Sequence, residues 1–303
     1  MSKQIEIIEV GPRDGFQSVK CAQITTEQKL QVIDDLVAAG VKHMEYTSFV
    51  SPKAIPQLAD AKDVTKAVLE KYPDVDLFAL VPNLRGAQNA YELGLRKVCY
   101  VVSLSVSHNK ANINRTHEQS LEAYKEIRAA YPDLDVIVDL ATTFGCPFEG
   151  KYEDPAAVVA FLQDYVDAGM TTCCLCDTIG IADPAQVKAV ISAVKAAYPT
   201  LDLMVHFHDT RGLGMANSLA AMECGVTKIQ AALGGLGGCP FAPGASGNLS
   251  TEDAVWMLNE AGYDTGISFS KILAAAKYQV GKIPGGTYSG HHITVEKETP
   301  CCF

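Results

Sequence analysis

The feature that most constrains the fold is an eightfold alternation of apolar, β-rich runs with stretches of helical periodicity. Helix-length segments begin at capping residues, such as Thr25 or Thr26, and several end at a glycine, such as Gly40. Eight such units over about 260 residues favour an α/β fold of the (β/α)8 TIM-barrel type over an open doubly wound sheet. The first strand is also not followed by the GxGxxG of a dinucleotide-binding fold. The predicted strands are residues 4–10, 43–50, 76–81, 97–105, 134–141, 172–177, 201–208 and 228–233.

The chain has 303 residues and no linker-like segment that would divide it. A length of this size can be buried as one barrel-sized domain. The eightfold repeat ends near Gly262, and the tail beyond it lies outside the repeat. We therefore expect a catalytic barrel over residues 1–265 and a short helical C-terminal extension over 266–303, packed on the barrel.

Charge and hydropathy exclude some classes of partner. A formal net charge of −10 argues against nucleic acid or an acidic membrane surface as the main partner. No apolar run reaches the length of a membrane span, and the N-terminal segment lacks the layout of a signal peptide. We therefore expect a cytoplasmic protein. Its ten cysteines, several of them inside predicted strands, are expected to be buried thiols and not a disulfide framework.

Polar side chains recur at the carboxyl ends of the predicted strands. Active sites of (β/α)8 barrels are built at this end of the strands and in the loops that follow. A glycine-rich segment, residues 234–244, also follows the last strand. We therefore expect the functional site at this end of the barrel, formed from Arg13, Asp14, Glu45, Asn83, Asp177, Thr178, His206, His208 and Asp209.

His206 and His208 lie two positions apart in LMVHFHDTR and point to the same face of a strand. They are either a hydrogen-bonded interior pair or metal ligands, and their position at the end of the barrel favours metal. Asp14 is the best carboxylate for the same ion, although an Asp-Gly turn is an alternative explanation for it. Asn248 offers an amide oxygen, or it caps the helix that begins near Ser250. Such a set suits a divalent Lewis-acid site.

Six motifs identify the chain as resembling the 3-hydroxy-3-methylglutaryl-CoA lyase family, within the barrel superfamily of isopropylmalate and homocitrate synthases. In chain order they are VGPRDGFQ, EYTSFVSPKAIPQLAD, FGCPFEGK, CDTIG, HFHDT and GGLGGCPFAPGASGN. The resemblance implies retro-Claisen cleavage to acetyl-CoA and acetoacetate, as in leucine degradation and ketone-body formation. It also implies Mg²⁺ or Mn²⁺ as cofactor, an acyl-CoA substrate and a homodimer. The implied metal ligands are Asp14, His206, His208 and Asn248.

The resemblance also implies catalytic roles for Arg13, Asp14, His206 and Cys239. Arg13 would stabilise the enolate oxygen, and Asp14 or His206 would accept the proton of the tertiary hydroxyl. Cys239, in the glycine-rich segment, would complete the site and could protonate the enolate carbon. The alternatives are a salt bridge for Arg13 at the barrel mouth and an ordinary loop thiol for Cys239.

The remaining candidates are substrate-binding residues. Gln17, Glu45, Asp177 and Thr178 are expected to orient the substrate or the side chains that contact it, with an Arg13 salt bridge as the alternative for Glu45. Lys20 and Asn83 are possible contacts for the anionic CoA portion. Arg211 stands where family members often have tyrosine, and Phe16 replaces a common leucine, so the acyl group is less firmly implied than the reaction. A Claisen-type condensing enzyme, or a non-catalytic metal- or CoA-binding protein, are the alternative functions.

Overall fold

Eight parallel strands close into a barrel in this computed structural model, which describes residues 3–20, 24–238 and 247–295. Each strand pairs with the one before it, and the first pairs with the last, where Ile8 lies opposite Gln230. The (β/α)8 prediction is therefore confirmed. The strands are β1 Glu6–Glu9, β2 His43–Ser48, β3 Asp76–Leu80, β4 Lys97–Ser103, β5 Asp135–Ala141, β6 Thr172–Asp177, β7 Asp202–Phe207 and β8 Lys228–Ala231.

Helices surround the strands, and the local sequence explains where they begin and end. The first has a capping box between Thr25 and Gln28 and ends at Gly40, whose φ of 108° is one that glycine adopts at little cost. The helices are α1 Thr26–Ala39, α2 Ala61–Lys71, α3 Leu84–Glu92, α4 Val106–Ile113, α5 His117–Ala130, α6 Ala156–Asp167, α7 Pro184–Ala197, α8 Gly214–Glu223, α9 Thr251–Glu260 and α10 Phe269–Lys282.

The largest difference from the sequence-based expectation follows β4. The predicted strand runs to residue 105, but β4 ends at Ser103 because the side chain of Ser105 caps α4 by accepting the backbone N–H of His108 at 3.0 Å. The short helix α4 was not predicted. A two-stranded hairpin, Gly145–Cys146 with Gly150–Lys151, was also not predicted. Both lie on loops at the carboxyl ends of strands, the end that holds the candidate site.

The core has two layers. The larger one packs the outer faces of the strands against the helices, and a smaller one fills the barrel interior with Ile8, Phe78, Cys99, Ile137 and Met204 among others. Five of the six described cysteines are buried, and all six are free thiols, as expected. Across the described residues, no helix combines the length and apolar character needed to cross a bilayer.

The C-terminal segment packs on the barrel. Helix α10 contacts α1 and α9, and the backbone N–H of Ser268 donates to the carbonyl of Ala39 at 2.8 Å. Residues 284–295, which we call the C-terminal strap, then run beside the start of the glycine-rich segment. There the carbonyl of Gly234 accepts the N–H groups of Ser289 and Gly290, each at 3.1 Å. The extension therefore fastens the loop that follows β8.

Candidate active site and metal centre

Three potential metal ligands converge at the carboxyl end of the barrel. Asp14 lies in the tight helical turn that follows β1, and His206 and His208 lie at the end of β7. One ligand atom from each of the three lies within 4.8 Å of the others, and the two imidazole rings are 5.0 Å apart. The alternation of side chains along a strand brings both histidines to one face, as the sequence predicts.

Asn248 joins this group from the segment before α9. Its side chain is buried, and its Nδ2 donates to Asp14 Oδ2 at 2.8 Å and to the Leu236 carbonyl at 3.1 Å. Within residues 3–20, 24–238 and 247–295, neither its Oδ1 nor His208 Nδ1 has a hydrogen-bond partner. Buried polar atoms are seldom left unpaired, so two of them beside a carboxylate fit a divalent cation. The helix cap that was the alternative role for Asn248 is supplied by Ser250.

The ionisation of these side chains also suits a cation. Burial lowers the pKa of both His206 and His208, that of His208 to about 4, so both rings are neutral at pH 7 and can ligate. Burial alone would raise the pKa of Asp14, but the charge of Arg13 and of the two histidines lowers it to about 2. The site therefore offers one carboxylate and two neutral imidazoles.

Gln230 orients His206. Its Oε1 is 2.9 Å from His206 Nδ1 and accepts the ring N–H, which leaves Nε2 as the nitrogen with a free lone pair. Sequence analysis missed this residue, although a polar side chain inside the apolar run KIQAAL was a visible signal. One ring nitrogen of His206 is therefore available, either for an ion or for a proton.

Arg13 is held by two carboxylates. Its Nε and Nη2 donate to Glu45 Oε1 and Oε2 at 2.5 and 2.6 Å, and its Nη1 donates to Asp14 Oδ1 at 2.5 Å. Burial alone would lower the pKa of Arg13, but Glu45 and Asp14 raise it well above its usual value. The cation is thus permanent, and its bidentate pairing fixes the guanidinium beside the metal ligands.

A cavity of about 630 Å³ opens next to these groups. Arg13, Asp14, His206, His208 and Gln230 form one part of its wall, and β3, β4 and β5 form another. Helix α4 and the residues after it add His108, which is buried, and Asn112 and Arg115, which lie at least partly exposed where the cavity meets solvent. The volume falls within the range of small-molecule and cofactor sites.

The family profile described as HMGL-like matches residues 4–278, which is most of the chain. The chain belongs to the HMGL-like family.

Curated and solved relatives agree with this assignment. Hydroxymethylglutaryl-CoA lyase YngG of Bacillus subtilis is 42% identical over 278 residues, which are 91% of this chain and 92% of that protein. The mitochondrial hydroxymethylglutaryl-CoA lyase of Homo sapiens is 39% identical over 280 residues, 92% and 85% of the two chains. An HMG-CoA lyase from Acinetobacter baumannii, solved with coenzyme A and 3-methylmalate, superposes with a TM-score of 0.91 at 39% identity over 98% and 96% of the chains. The predicted resemblance, and the prediction of a lyase-like enzyme, are confirmed.

Within this HMGL-like site, the predicted substrate-binding residues fall into two groups. Arg13, Gln17, Asn83 and Thr178 line the cavity. Gln17 also donates to Asp14 Oδ1 at 3.2 Å, and Asn83 caps α3 through Gly86. The others, Lys20, Glu45, Asp177 and Arg211, are not part of the cavity wall that the described residues form.

Contacts explain why three of the second group do not reach the cavity. Glu45 is fully buried and uses both oxygens on Arg13, so the salt-bridge alternative describes it and direct substrate contact does not. Asp177 accepts the N–H groups of Ile181 and Ala182 at 2.9 and 3.0 Å, and burial raises its pKa. Arg211 donates to the carbonyls of Ile179 and Gly180, at 2.9 and 2.8 Å. Asp177 and Arg211 therefore shape the loop after β6.

Lys20 is exposed, and its backbone N–H donates to the carbonyl of Gly285. Cys239 lies outside the described residues, as does most of the glycine-rich segment. Sequence analysis also missed Glu9, a buried carboxylate that accepts from Gly11 N at 2.7 Å, Leu233 N at 2.9 Å and Thr251 Oγ1 at 2.6 Å. Glu9 thus joins the ends of β1 and β8 to α9 beneath the site.

Proposed function

We propose that the chain cleaves 3-hydroxy-3-methylglutaryl-CoA, or a closely related 3-hydroxy diacid CoA ester, to a ketone and an acyl-CoA. For 3-hydroxy-3-methylglutaryl-CoA the products are acetoacetate and acetyl-CoA. One observation carries the proposal: the convergence of Asp14, His206, His208 and Asn248 beside a fixed Arg13 at the wall of the cavity. The names of the relatives agree with this substrate.

We assign the metal to these four side chains, with Mg²⁺ or Mn²⁺ as the ion. Carboxylate and amide oxygens are ligands that both ions accept, and the unpaired Oδ1 of Asn248 is such an oxygen. The unpaired Nδ1 of His208 adds an imidazole nitrogen. When bound, such an ion supplies Lewis acidity that makes the tertiary hydroxyl of the substrate easier to deprotonate.

The side chains of the site account for the rest of the reaction. The hydroxyl loses its proton, its oxygen forms the ketone carbonyl, and the bond between C2 and C3 breaks. The electron pair passes to C2 as the enolate of the thioester, which a proton then converts to the acyl-CoA. Arg13, always charged and locked by Glu45 and Asp14, stabilises the enolate oxygen electrostatically.

Asp14 is a poor proton acceptor because its pKa is about 2. His206 is a better one, since Nδ1 is used by Gln230 and Nε2 remains available. That nitrogen cannot hold an ion and a proton together, so if His206 accepts the proton the ion is left to Asp14, His208 and Asn248. Metal titration of Asp14→Ala and His206→Ala decides between the two roles.

The resemblance assigns protonation of C2 to Cys239, in the glycine-rich segment. Cys239→Ser should lower kcat while preserving metal affinity and most of the substrate affinity, because a hydroxyl is a much weaker acid than a thiol. Cys224→Ser is the matched control, because the Cys224 thiol lies at the C-terminal end of α8 and is partly exposed. A Cys239→Ser variant with the parent kcat would reduce Cys239 to an ordinary loop residue.

The proposal includes an acyl-CoA substrate, a cytoplasmic location, a place in leucine degradation or ketone-body formation, and a homodimer. A net charge of −10 does not attract the anionic phosphates of CoA over the whole surface, so local cations must bind them. Arg115, at the cavity opening, is one such group. Sedimentation of the protein tests the dimer.

The decisive experiment incubates the protein with 3-hydroxy-3-methylglutaryl-CoA and Mg²⁺ and measures acetoacetate and acetyl-CoA in equal amounts. Activity should disappear with EDTA and return with Mg²⁺ or Mn²⁺. Formation of a longer CoA ester from acetyl-CoA and a keto acid would instead indicate a condensing enzyme. Tight CoA binding without either reaction would indicate a non-catalytic binding protein.

A further inference from the structure

One carboxyl group in the cavity wall has no part in the reaction described above. Asp139 lies on β5, is 4% exposed, and lines the cavity with Leu80, Val101 and Ala141 as apolar neighbours. Its Oδ1 has no hydrogen-bond partner in the part of the chain that the structure describes. A buried carboxyl oxygen without a partner costs free energy unless a ligand completes its bonding.

Among the described residues, the cation that acts on Asp139 is Arg13, which is already paired. A carboxyl oxygen of Asp139 lies within 4.8 Å of the Glu45 carboxylate and of Cys99 Sγ. Arg13 already pairs with Glu45 and Asp14, and the Cys99 thiol donates to Glu45 Oε1 at 3.0 Å. Asp139 therefore stands next to a second carboxylate whose charge is already paired.

Two neighbouring buried carboxyl groups do not both ionise readily. Burial, and then the charge of Glu45, raises the pKa of Asp139 to about 8, so its carboxyl keeps a proton at neutral pH. Arg13, and then a hydrogen bond with the Cys99 thiol, oppose this change, and Asp14 adds to it. The other titratable groups that interact with Asp139 are the thiols of Cys99, Cys173, Cys174 and Cys176.

A thioester bound in the cavity would bring the distal end of its acyl group toward this carboxyl. The nucleotide part of CoA is too large for the barrel interior, so the acyl group is the part that reaches the strands. Its reacting carbons must lie near Arg13 and His206, which leaves the distal end of the acyl group to face β4 and β5. A protonated Asp139 there would be a hydrogen-bond donor in an otherwise apolar surface.

We propose that Asp139 is a specificity-determining residue, which donates a hydrogen bond from its carboxyl to the distal carboxylate of the acyl group. The site thereby selects CoA monothioesters of dicarboxylic acids over those of monocarboxylic acids. The inference rests on the proposed function only in taking an acyl-CoA as the occupant of the cavity. An ionised Asp139 would instead repel the distal carboxylate. Removing the carboxyl would then tighten glutaryl-CoA binding, whereas loss of a hydrogen-bond donor would weaken it.

The test measures binding and does not depend on cleavage. Glutaryl-CoA and pentanoyl-CoA differ by the distal carboxylate at equal chain length, and calorimetry with Mg²⁺ present gives Kd for each. Asp139→Leu should reduce the preference for glutaryl-CoA by about tenfold, the worth of a hydrogen bond to a charged group. Asp139→Asn, whose amide still donates, should keep the preference within about threefold.

Asp135→Asn, at the opposite end of β5, is the matched control and should bind like the parent. Asp139→Ala replaces Asp139→Leu if the latter does not fold. The inference is overturned if the parent shows no preference for glutaryl-CoA, or if removing the carboxyl leaves or tightens glutaryl-CoA binding. A protein that binds as expected but does not cleave 3-hydroxy-3-methylglutaryl-CoA would refute the proposed function and leave this inference standing.

Discussion

At the residue scale, Arg13 has both a structural and a catalytic role. It is the counter-ion of fully buried Glu45, and in the proposed mechanism it also stabilises the enolate. Removing one partner of a buried ion pair leaves the other uncompensated, which costs about 3–5 kcal/mol. A charge-conserving substitution is therefore needed to examine catalysis alone.

Arg13→Lys keeps the charge opposite Glu45 but loses the planar, bidentate pairing. We expect kcat to fall at least ~100-fold with little change in melting temperature, because the ammonium cannot bind Glu45 and face the substrate together. Steady-state kinetics and thermal unfolding measure the two effects. Arg96→Lys, at the opposite end of the barrel, is the control. A variant that unfolds at much lower temperature would mean that Arg13 is mainly structural.

Asp14→Ala and His206→Ala should both lower the affinity for Mg²⁺ and Mn²⁺ and abolish turnover, while the barrel remains folded. The reason is the loss of one ligand from the four that converge. Calorimetric titration with the metal alone measures this, with His43→Ala, a partly exposed imidazole near Asp76, as the control. Parent-like metal binding by Asp14→Ala would refute the ligand set. The same result for His206→Ala alone would assign His206 to proton transfer.

The state of Asp139 gives a pH dependence with a definite sign. Its carboxyl is a donor while it holds a proton, so the affinity for glutaryl-CoA should fall as the pH rises past about 8, where the group ionises. Affinity for pentanoyl-CoA should change less, because it has no charge to be repelled. In Asp139→Asn the difference between the two ligands should be independent of pH from about 7 to 9. A parent preference that stays constant over this range would contradict the assignment.

At the element scale, two histidines of the C-terminal strap bond to one carboxylate of α9, that of Asp253, and hold the strap against this helix. The ring Nδ1 atoms of His291 and His292 lie 2.9 and 2.6 Å from the two oxygens of Asp253, which also accept both backbone N–H groups. The hydrogen bond to Asp253 raises the pKa of His291. Burial alone would raise the pKa of Asp253, but the bonds from His291 and His292 lower it.

This clamp should be strongest in mildly acidic solution. The contribution of His291 is fully present below its unfolded pKa of 6.5 and is lost as the pH rises through its raised folded value. The contribution of Asp253 is present above 3.8 and is lost only as the pH falls through its lowered value. We therefore expect His291→Gln to lower the melting temperature more at about pH 5.5 than at about pH 8.5. Equal losses at both values would contradict an ionic clamp.

The sequence predicts the positions of the strands better than the contacts that their side chains make with one another in the site. Alternation and caps are local signals, so all eight strands were located, and the ends differed where a cap such as Ser105 intervened. His206 and His208 were found because strand periodicity places them on one face. The role of Glu45 could not be decided from the sequence, because Arg13 comes from another strand's loop. Asp139 was overlooked, although an aspartate inside VIVDLA is itself a signal.

At the scale of the whole molecule, the proposed ion would bridge the segments that follow the first and the last strand of the barrel. Asp14 and Asn248 are 234 residues apart in sequence yet share a hydrogen bond beside the junction of β1 and β8. A ligand that binds only the folded state at 100 times its Kd stabilises that state by about 2.7 kcal/mol. Mg²⁺ or Mn²⁺ should therefore raise the melting temperature of the parent and not of Asp14→Ala, which scanning calorimetry can measure. An equal rise in both would place the ion elsewhere.

Closure of the barrel by its first and last strands also has a consequence for synthesis. Asp14 leaves the ribosome before its partners on β7 and before α9, and the last of these, Asn248, follows it by 234 residues. A nascent chain therefore cannot assemble the metal centre, and a truncated product that lacks Asn248 cannot complete it. Metal loading would thus be a late event in the life of each molecule, restricted to chains whose translation has passed the final strand.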